Sequence, residues 1–354
     1  MNDTLNSNTQ GFDFLATCIG SVPYLDVEDV CERILELFPR APFWPQFVNR
    51  SPLETMILQF SEGLPFLELV EEGKALSLRR DNLESELVSF YEHFLGEDLS
   101  YFAVGRKYSR GLYEVADAIR RKGEKYGPYI KGQTVGPITF AAGVSDHAGH
   151  TLLQDPELLE AVVKGLSIKA LWQVRKLEET GKRPILFIDE PYLSGFGSAF
   201  TPLEREEVVK ILGEIIGYLR ERSQALIGVH CCGNTDWSMI ADSGPDIISF
   251  DAYEYLDTFL LYPDSISRFV HSGGAIAWGI VPTFRFTGKE SVEALYQKLC
   301  GGLNRLRDWG LGRDVVVSRS LLTPACGMGT MTPALADRAL DLLVKVSRKC
   351  RDLF

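Results

Sequence analysis

Residues suited to a soft metal stand together at His230-Cys231-Cys232, directly after the apolar run Leu226-Ile227-Gly228-Val229. Side chains alternate across a strand, so His230 and Cys232 share one face while Cys231 turns to the other. One imidazole nitrogen and one thiolate aimed at a common point make a chelate suited to zinc. Two ligands make a weak site. Cys326, in Pro324-Ala325-Cys326-Gly327, is the remaining cysteine embedded in a Gly/Pro-rich strand-end loop. A His/Cys/Cys set leaves one position of a tetrahedral zinc open, as a catalytic site requires. Asp251, at the end of the next apolar run, could fill that position reversibly or support a ligand from behind. The competing reading is that the His-x-Cys spacing is accidental and these cysteines are small buried hydrophobes.

Other reactive types also follow apolar runs. Asp189-Glu190-Pro191 comes after Ile185-Leu186-Phe187-Ile188, which places carboxylates where they could hold an amine or move a proton, or simply form a turn. Glu62, in Ser61-Glu62-Gly63, is a weaker carboxylate of the same kind, and the backbone at Ile19-Gly20-Ser21 could offer N–H groups to an anion. Gly136-Pro137-Ile138-Thr139 closes another run. Trp44, Trp237, Trp278, Phe196 and Phe200 read as an apolar floor, a docking surface for a planar molecule, or core. Cys18, Cys31, Cys300 and Cys350 read as packing residues; among the other histidines only His147 and His150 follow a suspect loop. No Gly-x-Gly-x-x-Gly opens a helix after a strand and no Gly-Lys-Ser/Thr phosphate loop occurs, so nucleotide chemistry loses support.

The whole-chain balance agrees with a small-molecule site. The 354 residues carry 37 Lys+Arg against 48 Asp+Glu, a net charge of −11, which disfavours nucleic acid and anionic membranes as partners. Hydrophobic residues at 45% and charged residues at 24% are ordinary for a folded globular chain. Residues 1–10 are polar, without a basic segment leading into an apolar one, and no run is long enough to span a membrane. The seven cysteines are an odd, scattered set that does not suggest a disulfide framework, and a cytoplasmic location is expected.

The elements that must position these residues follow from the spacing. Strands are predicted over 14–19, 129–135, 184–188, 225–229, 247–250, 275–280 and 315–318, with an eighth expected within 44–70. Amphipathic helices are predicted over 157–180, 204–223 and 291–309, and a closing helix within 330–354. Strand-helix-strand alternation with unbroken apolar strands is the pattern of a parallel sheet covered on both faces. The expectation is one α/β domain over 1–354, a single (β/α)8 TIM barrel with an N-terminal extension. Residues 71–125, dense in Glu, Arg and Lys, are expected to form an inserted helical segment. In such a barrel every motif above converges on one rim.

Taken in order, Ile19-Gly20-Ser21, Gly136-Pro137-Ile138-Thr139, Asp189-Glu190-Pro191, His230-x-Cys232 and Pro324-Ala325-Cys326-Gly327 resemble the C-terminal catalytic barrel of cobalamin-independent methionine synthase. The likeness runs from about residue 14 to 345. His230-Cys231-Cys232-Gly233-Asn234-Thr235 is also similar to the His-x-Cys-Gly-Asn of corrinoid-dependent coenzyme M methyltransferases, and both belong to the superfamily that includes uroporphyrinogen decarboxylase. The resemblance implies a zinc ion held by His230, Cys232 and Cys326, with His230 and Asp251 at the catalytic centre and a substrate thiol on the metal. It further implies that Ile19, Gly20, Ser21 and Asp189 hold the amino-acid part of homocysteine; Glu62 is expected as a further substrate-binding carboxylate, and Gly136 and Pro137 are expected to face the methyl donor. Where that family has a Glu as fourth ligand, Ser249-Phe250-Asp251 stands here. A second, folate-binding barrel is not expected in 354 residues, and Phe140-Ala141-Ala142-Gly143-Val144-Ser145-Asp146 carries none of the family's folate-contact elements. The donor expected is therefore a methylcorrinoid, free or on a small corrinoid protein. Alternatives are a coenzyme M-type acceptor, a decarboxylase of the porphyrinogen type, and a zinc or corrinoid-protein binding barrel without turnover.

Overall fold

The computed structural model describes residues 11–198, 201 and 203–354; Phe200, expected near a strand end, lies outside them. The chain opens with β1 (Leu15–Ala16) and β2 (Ser21–Val22), and β3 (Gln46–Phe47) pairs in parallel with β2. β4 (Leu67–Val70) and β5 (Ala75–Leu78) form an antiparallel hairpin. Then come β6 (Tyr129–Val135), β7 (Arg183–Asp189), β8 (Leu226–Cys231), β9 (Ile247–Phe250), β10 (Ala275–Val281) and β11 (Ser320–Pro324). Seven of these make one parallel sheet in the order β1-β11-β10-β9-β8-β7-β6. From β6 onward each strand lies beside its chain successor and the last lies beside the first, so the sheet curls upon itself into a barrel-like form.

Between β1 and β6, where an eighth strand was expected, the described residues hold a short irregular segment instead. The Lys131 N–H donates to the Pro42 carbonyl at 2.8 Å, Trp44 N–H to Lys131 at 3.2 Å, and Gln46 N–H to Gly20 at 3.0 Å. Residues 42–47 thus bond to both edges of the sheet with only two residues, β3, in strand form. Pro42 and Pro45 lack N–H donors, which prevents a regular ladder there.

The predicted helices fall at Pro156–Glu178, Arg205–Arg222 and Val292–Asp308, and Pro333–Leu353 packs on β1 and β11. Two expectations need correction. Residues 315–318 lie in the helix Arg313–Ser318 and the strand follows at Ser320–Pro324. Val315-Val316-Val317 has strand propensity, but Gly312 precedes it as N-cap and Asp314 sits in the first turn, and only Val316 is buried. The inserted segment is not wholly helical: it contains β5 and begins upstream with β4, before the helices Leu83–Leu95 and Arg110–Arg121. No described helix is long and apolar enough to cross a membrane.

The strands are buried on both faces, and their alternation sorts two layers. Leu186 and Ile188 pack outward in the main core with the helices, while Ile185, Phe187, Leu15, Leu226, Ile247 and Leu321 form a separate inner cluster. Along the inner face the character changes from apolar to polar toward the carboxyl ends: Phe187 then Asp189, Leu226 then His230, Ile247 then Ser249. Burial of the apolar half, at about 1.5–3 kcal/mol per large side chain, supports the polar half above it.

Glu190, one residue beyond the inner column, serves the scaffold. Its carboxylate accepts from the N–H groups of Ile138 at 3.0 Å and Thr139 at 2.7 Å and from the Thr139 hydroxyl at 2.6 Å. These bonds cap the helix Pro137–Ala142, and burial pushes the Glu190 pKa up to about 7. A Cβ on Gly136 would lie 2.1 Å from Glu190 Cδ, so glycine is needed for the contact. Replacing Glu190 with Ala leaves two buried N–H groups unpaired at about 1–3 kcal/mol each. Thermal unfolding of E190A should come several degrees below that of the parent; an unchanged midpoint would show that the cap is dispensable.

Candidate metal centre

Strand β8 ends with Gly228 and His230 on its inner face and Cys231 in the core among the helices, as the alternation requires. The chain then bends at Cys232-Gly233. Cys326 arrives from the loop after β11, where Gly327 lets the chain pass close to β2: a Cβ there would sit 2.0 Å from Ser21 Oγ, and Met328 N–H donates to the Ser21 carbonyl at 2.9 Å. One donor atom from each of His230, Cys232 and Cys326 lies within 4.8 Å of the others. No other group of three or more potential metal ligands occurs among the described residues.

The donor set fits a zinc ion. His230 is 2% exposed, its Nδ1 lies 2.9 Å from Ser249 Oγ, and its Nε2 is buried without a partner. A hydrogen bond from Nδ1–H to Ser249 leaves the Nε2 lone pair free for a metal. The Cys326 hydrogen bond, assisted by His230, lowers the Cys232 thiol, while Cys326 is raised, so the pair favours one thiolate beside one thiol. A cation there would displace that remaining proton and leave both sulfurs as thiolate ligands.

The strand register places Asp189 beside His230, and His230 beside Ser249. Asp189 is 4% exposed, its Oδ1 has no hydrogen-bond partner, and burial raises its pKa to about 6 against the opposing pull of Lys131. Lys131, also fully buried, donates to the Ile19 carbonyl and to Gln133 Oε1 and so holds the end of β1; burial lowers its own pKa to about 8. Ile19, Ser21, Asp189, His230, Cys232 and Cys326 all line one cavity of about 570 Å3. Gly20 backs onto the Gln133 and Gln46 side chains, which a Cβ would meet at 2.6 and 2.8 Å.

Other expected residues lie elsewhere. Glu62 sits next to the inserted segment, where it accepts from the Gly105 N–H, and does not line the cavity. Gly136 and Pro137 are on the helix turn capped by Glu190, likewise off the cavity. Asp251 is outside the ligand cluster: its Oδ1 accepts from the N–H groups of Tyr253 and Glu254, each at 2.9 Å, and burial raises its pKa to about 6. It faces a second cavity that Cys232 and Cys326 also line. Trp44, Trp237 and Trp278 are core, and Phe196 packs partly buried against it; the aromatic at the site is Phe284. His147 and His150 are exposed.

The sequence reading missed Ser249, Lys131, Gln46, Met56 and the Thr283-Phe284 pair. Ser249 carried a usable signal as the one polar residue of β9, and Lys131 as a charged residue inside a strand whose other polar members, Gln133 and Thr134, are neutral. Gln46 and Met56 open a two-residue strand and a four-residue helix, and Phe284 stands in a turn, all too short to show a periodicity.

No known family profile matches the chain and no curated protein matches it. Among solved structures it is similar to a B12-independent methionine synthase from a Shewanella species, in complex with selenomethionine. The TM-score is 0.47 at 18% identity, over 67% of this chain and 67% of that one.

The purified protein should carry about one zinc per chain by elemental analysis, falling to a small fraction in C232S or C326S. Ser249→Ala should retain the fold and weaken zinc binding about 10- to 100-fold in a chelator competition. Stoichiometric zinc in C232S would contradict the ligand set.

Proposed function

We propose that this chain is a zinc-dependent thiol methyltransferase that moves a methyl group from a methylcorrinoid to a small amino-acid thiol, homocysteine first among them. The observation that carries this reading is the convergence of His230 and the two cysteines on a cavity also lined by Asp189, whose buried Oδ1 lacks a partner. With residues 42–47 bridging the sheet edges, we read the scaffold as a closed (β/α)8-type barrel in one domain.

Zinc held by these three side chains would deprotonate an incoming thiol, which at its usual pKa of about 8.5 is mostly protonated at neutral pH. The protein residues supply the rest. Asp189, beside His230, offers an unpaired carboxylate oxygen to an ammonium group close to the metal. Lys131 keeps that carboxylate charged against its burial and fixes Ile19, so that the β1–β2 corner borders the same space. The apolar lining from Val48 and Met56 accommodates the methylene arm.

The acceptor class follows from charge. No Lys or Arg lines the cavity among the described residues. A sulfonate thiol such as coenzyme M would find no cation there, and a porphyrinogen with several carboxylates would find no arginine. An amine-bearing thiol finds Asp189. The donor reading rests on the sequence: the segment after Thr139 lacks folate-contact elements, which leaves a methylcorrinoid, free or on a corrinoid protein. The seven cysteines, none in a disulfide, suit the reducing cytoplasm proposed as its location.

Incubation of the zinc-loaded protein with methylcobalamin and homocysteine should yield methionine, and coenzyme M should be a far poorer acceptor. Asp189→Asn should raise the homocysteine KM roughly tenfold to a hundredfold, the loss of a charge-assisted hydrogen bond, with zinc content intact. Equal turnover with methyltetrahydrofolate would overturn the donor assignment. An unchanged KM in D189N would overturn the role of Asp189.

A further inference from the structure

The thiol pair is reached from two sides. A second cavity of about 310 Å3 is lined by Cys232 and Cys326 together with Asp251, Glu254, Tyr255 and Arg285, none of which borders the larger one except the cysteines. Buried Thr283 borders both beside the two cysteines, and Phe284 stands on the outer rim of both.

The division follows from the order of strands. Cys232 follows β8 and Cys326 follows β11, and between those two strands in the sheet stand only β9 and β10. The line from Cys232 to Cys326 therefore divides the rim. On one side lie the ends of β9 and β10, carrying Asp251 and Thr283. On the other lie β1, residues 42–48 and β7, carrying Ile19, Ser21, Gln46 and Asp189.

We propose that the smaller cavity, above β9 and β10, is the site at which the methyl donor approaches, while the acceptor occupies the larger one. This rests on the methyltransferase reading given above. Displacement at a methyl carbon requires the attacking and leaving atoms in line. An acceptor whose amine reaches Asp189 occupies the β7 side, so the donor must come from the opposite side of its sulfur. The sulfur lone pair forms the S–C bond as the C–Co bond breaks. Both electrons of that bond stay with cobalt, reduced from Co(III) to Co(I), and the thiol proton has gone to solvent.

The shape of the mouth suits a large donor that presents its methyl group without entering. The cavity is too small for a corrin macrocycle, yet its edge carries Phe284, 93% exposed, and Arg285, whose guanidinium also projects into water. An exposed ring offers a face to a planar macrocycle, and the guanidinium offers donors to its peripheral amide carbonyls. Arg285 lies 4.0 Å from Glu254 across the rim, so the opening is bordered by a loose ion pair that a docking molecule can part.

Two variants at exposed positions lining only the smaller cavity test this. Arg285→Ala removes the donor groups, and Glu254→Trp obstructs the mouth. Each should raise the methylcobalamin KM about fivefold or more while leaving the homocysteine KM and the zinc content unchanged. Asp189→Asn should show the reverse split. Equilibrium dialysis of coloured methylcobalamin against the zinc-loaded protein reads the donor site without turnover and should show the same weakening. Unchanged methylcobalamin binding and KM in both variants, or a rise confined to homocysteine, would overturn the proposal while leaving methyl transfer standing. Absence of transfer in the parent, with methylcobalamin bound and weakened by E254W, would overturn the methyltransferase reading but not the binding site. A parent that binds no methylcobalamin overturns the site.

Discussion

Everything at the candidate centre depends on the parallel direction of seven strands in one curled sheet. Parallel pairing sends every strand's carboxyl end to the same rim, and strict alternation then decides which side chains meet inside it. His230 comes to lie between Asp189 and Ser249 because the register sets these three side by side. A slip of one residue in β8 would send His230 outward and Cys231 inward, and the ligand set would be lost.

The polar upper half of the interior would be costly alone. Asp189, Lys131, His230 and Ser249 are all buried. Their desolvation is offset by specific bonds, Lys131 to the Ile19 carbonyl and His230 to Ser249, and by the apolar cluster beneath them. The atoms left without partners, His230 Nε2 and Asp189 Oδ1, border the same cavity. Buried groups are normally satisfied, so two unpartnered atoms beside a cavity that also holds a thiol pair fit a place where a ligand completes the bonding.

Much of the scaffold could be read from the chain. β6 and β9 fall on the predicted residues because the apolar ends of each, Tyr129-Ile130 and Val135 in one and Ile247-Ile248 and Phe250 in the other, stand between turn residues, and three helices agree within two residues at each end. The error at residues 315–318 arose because three consecutive valines favour a strand locally, while an N-cap and one-sided burial made them a helical turn. The eighth strand could not be placed because residues 42–47 form their bonds around two prolines with almost no regular pairing. At the site, the convergence of His230, Cys232 and Cys326 was legible from residue type and strand-end position. Glu62, Gly136 and Pro137 were expected there and lie elsewhere, since a motif's place in the chain says nothing of the direction its side chains take. The partition of the rim was not legible at all, because it depends on which strands separate the two cysteines in the sheet.

The central claim is that an acceptor thiol joins His230, Cys232 and Cys326 on one metal ion, and X-ray absorption at the zinc edge tests it most directly. The resting protein should show two sulfur ligands at about 2.3 Å and a nitrogen at about 2.0 Å, completed by a light atom. Addition of homocysteine should raise the sulfur count to three, with the light atom displaced. A sulfur count that stays at two when homocysteine is saturating would contradict the account.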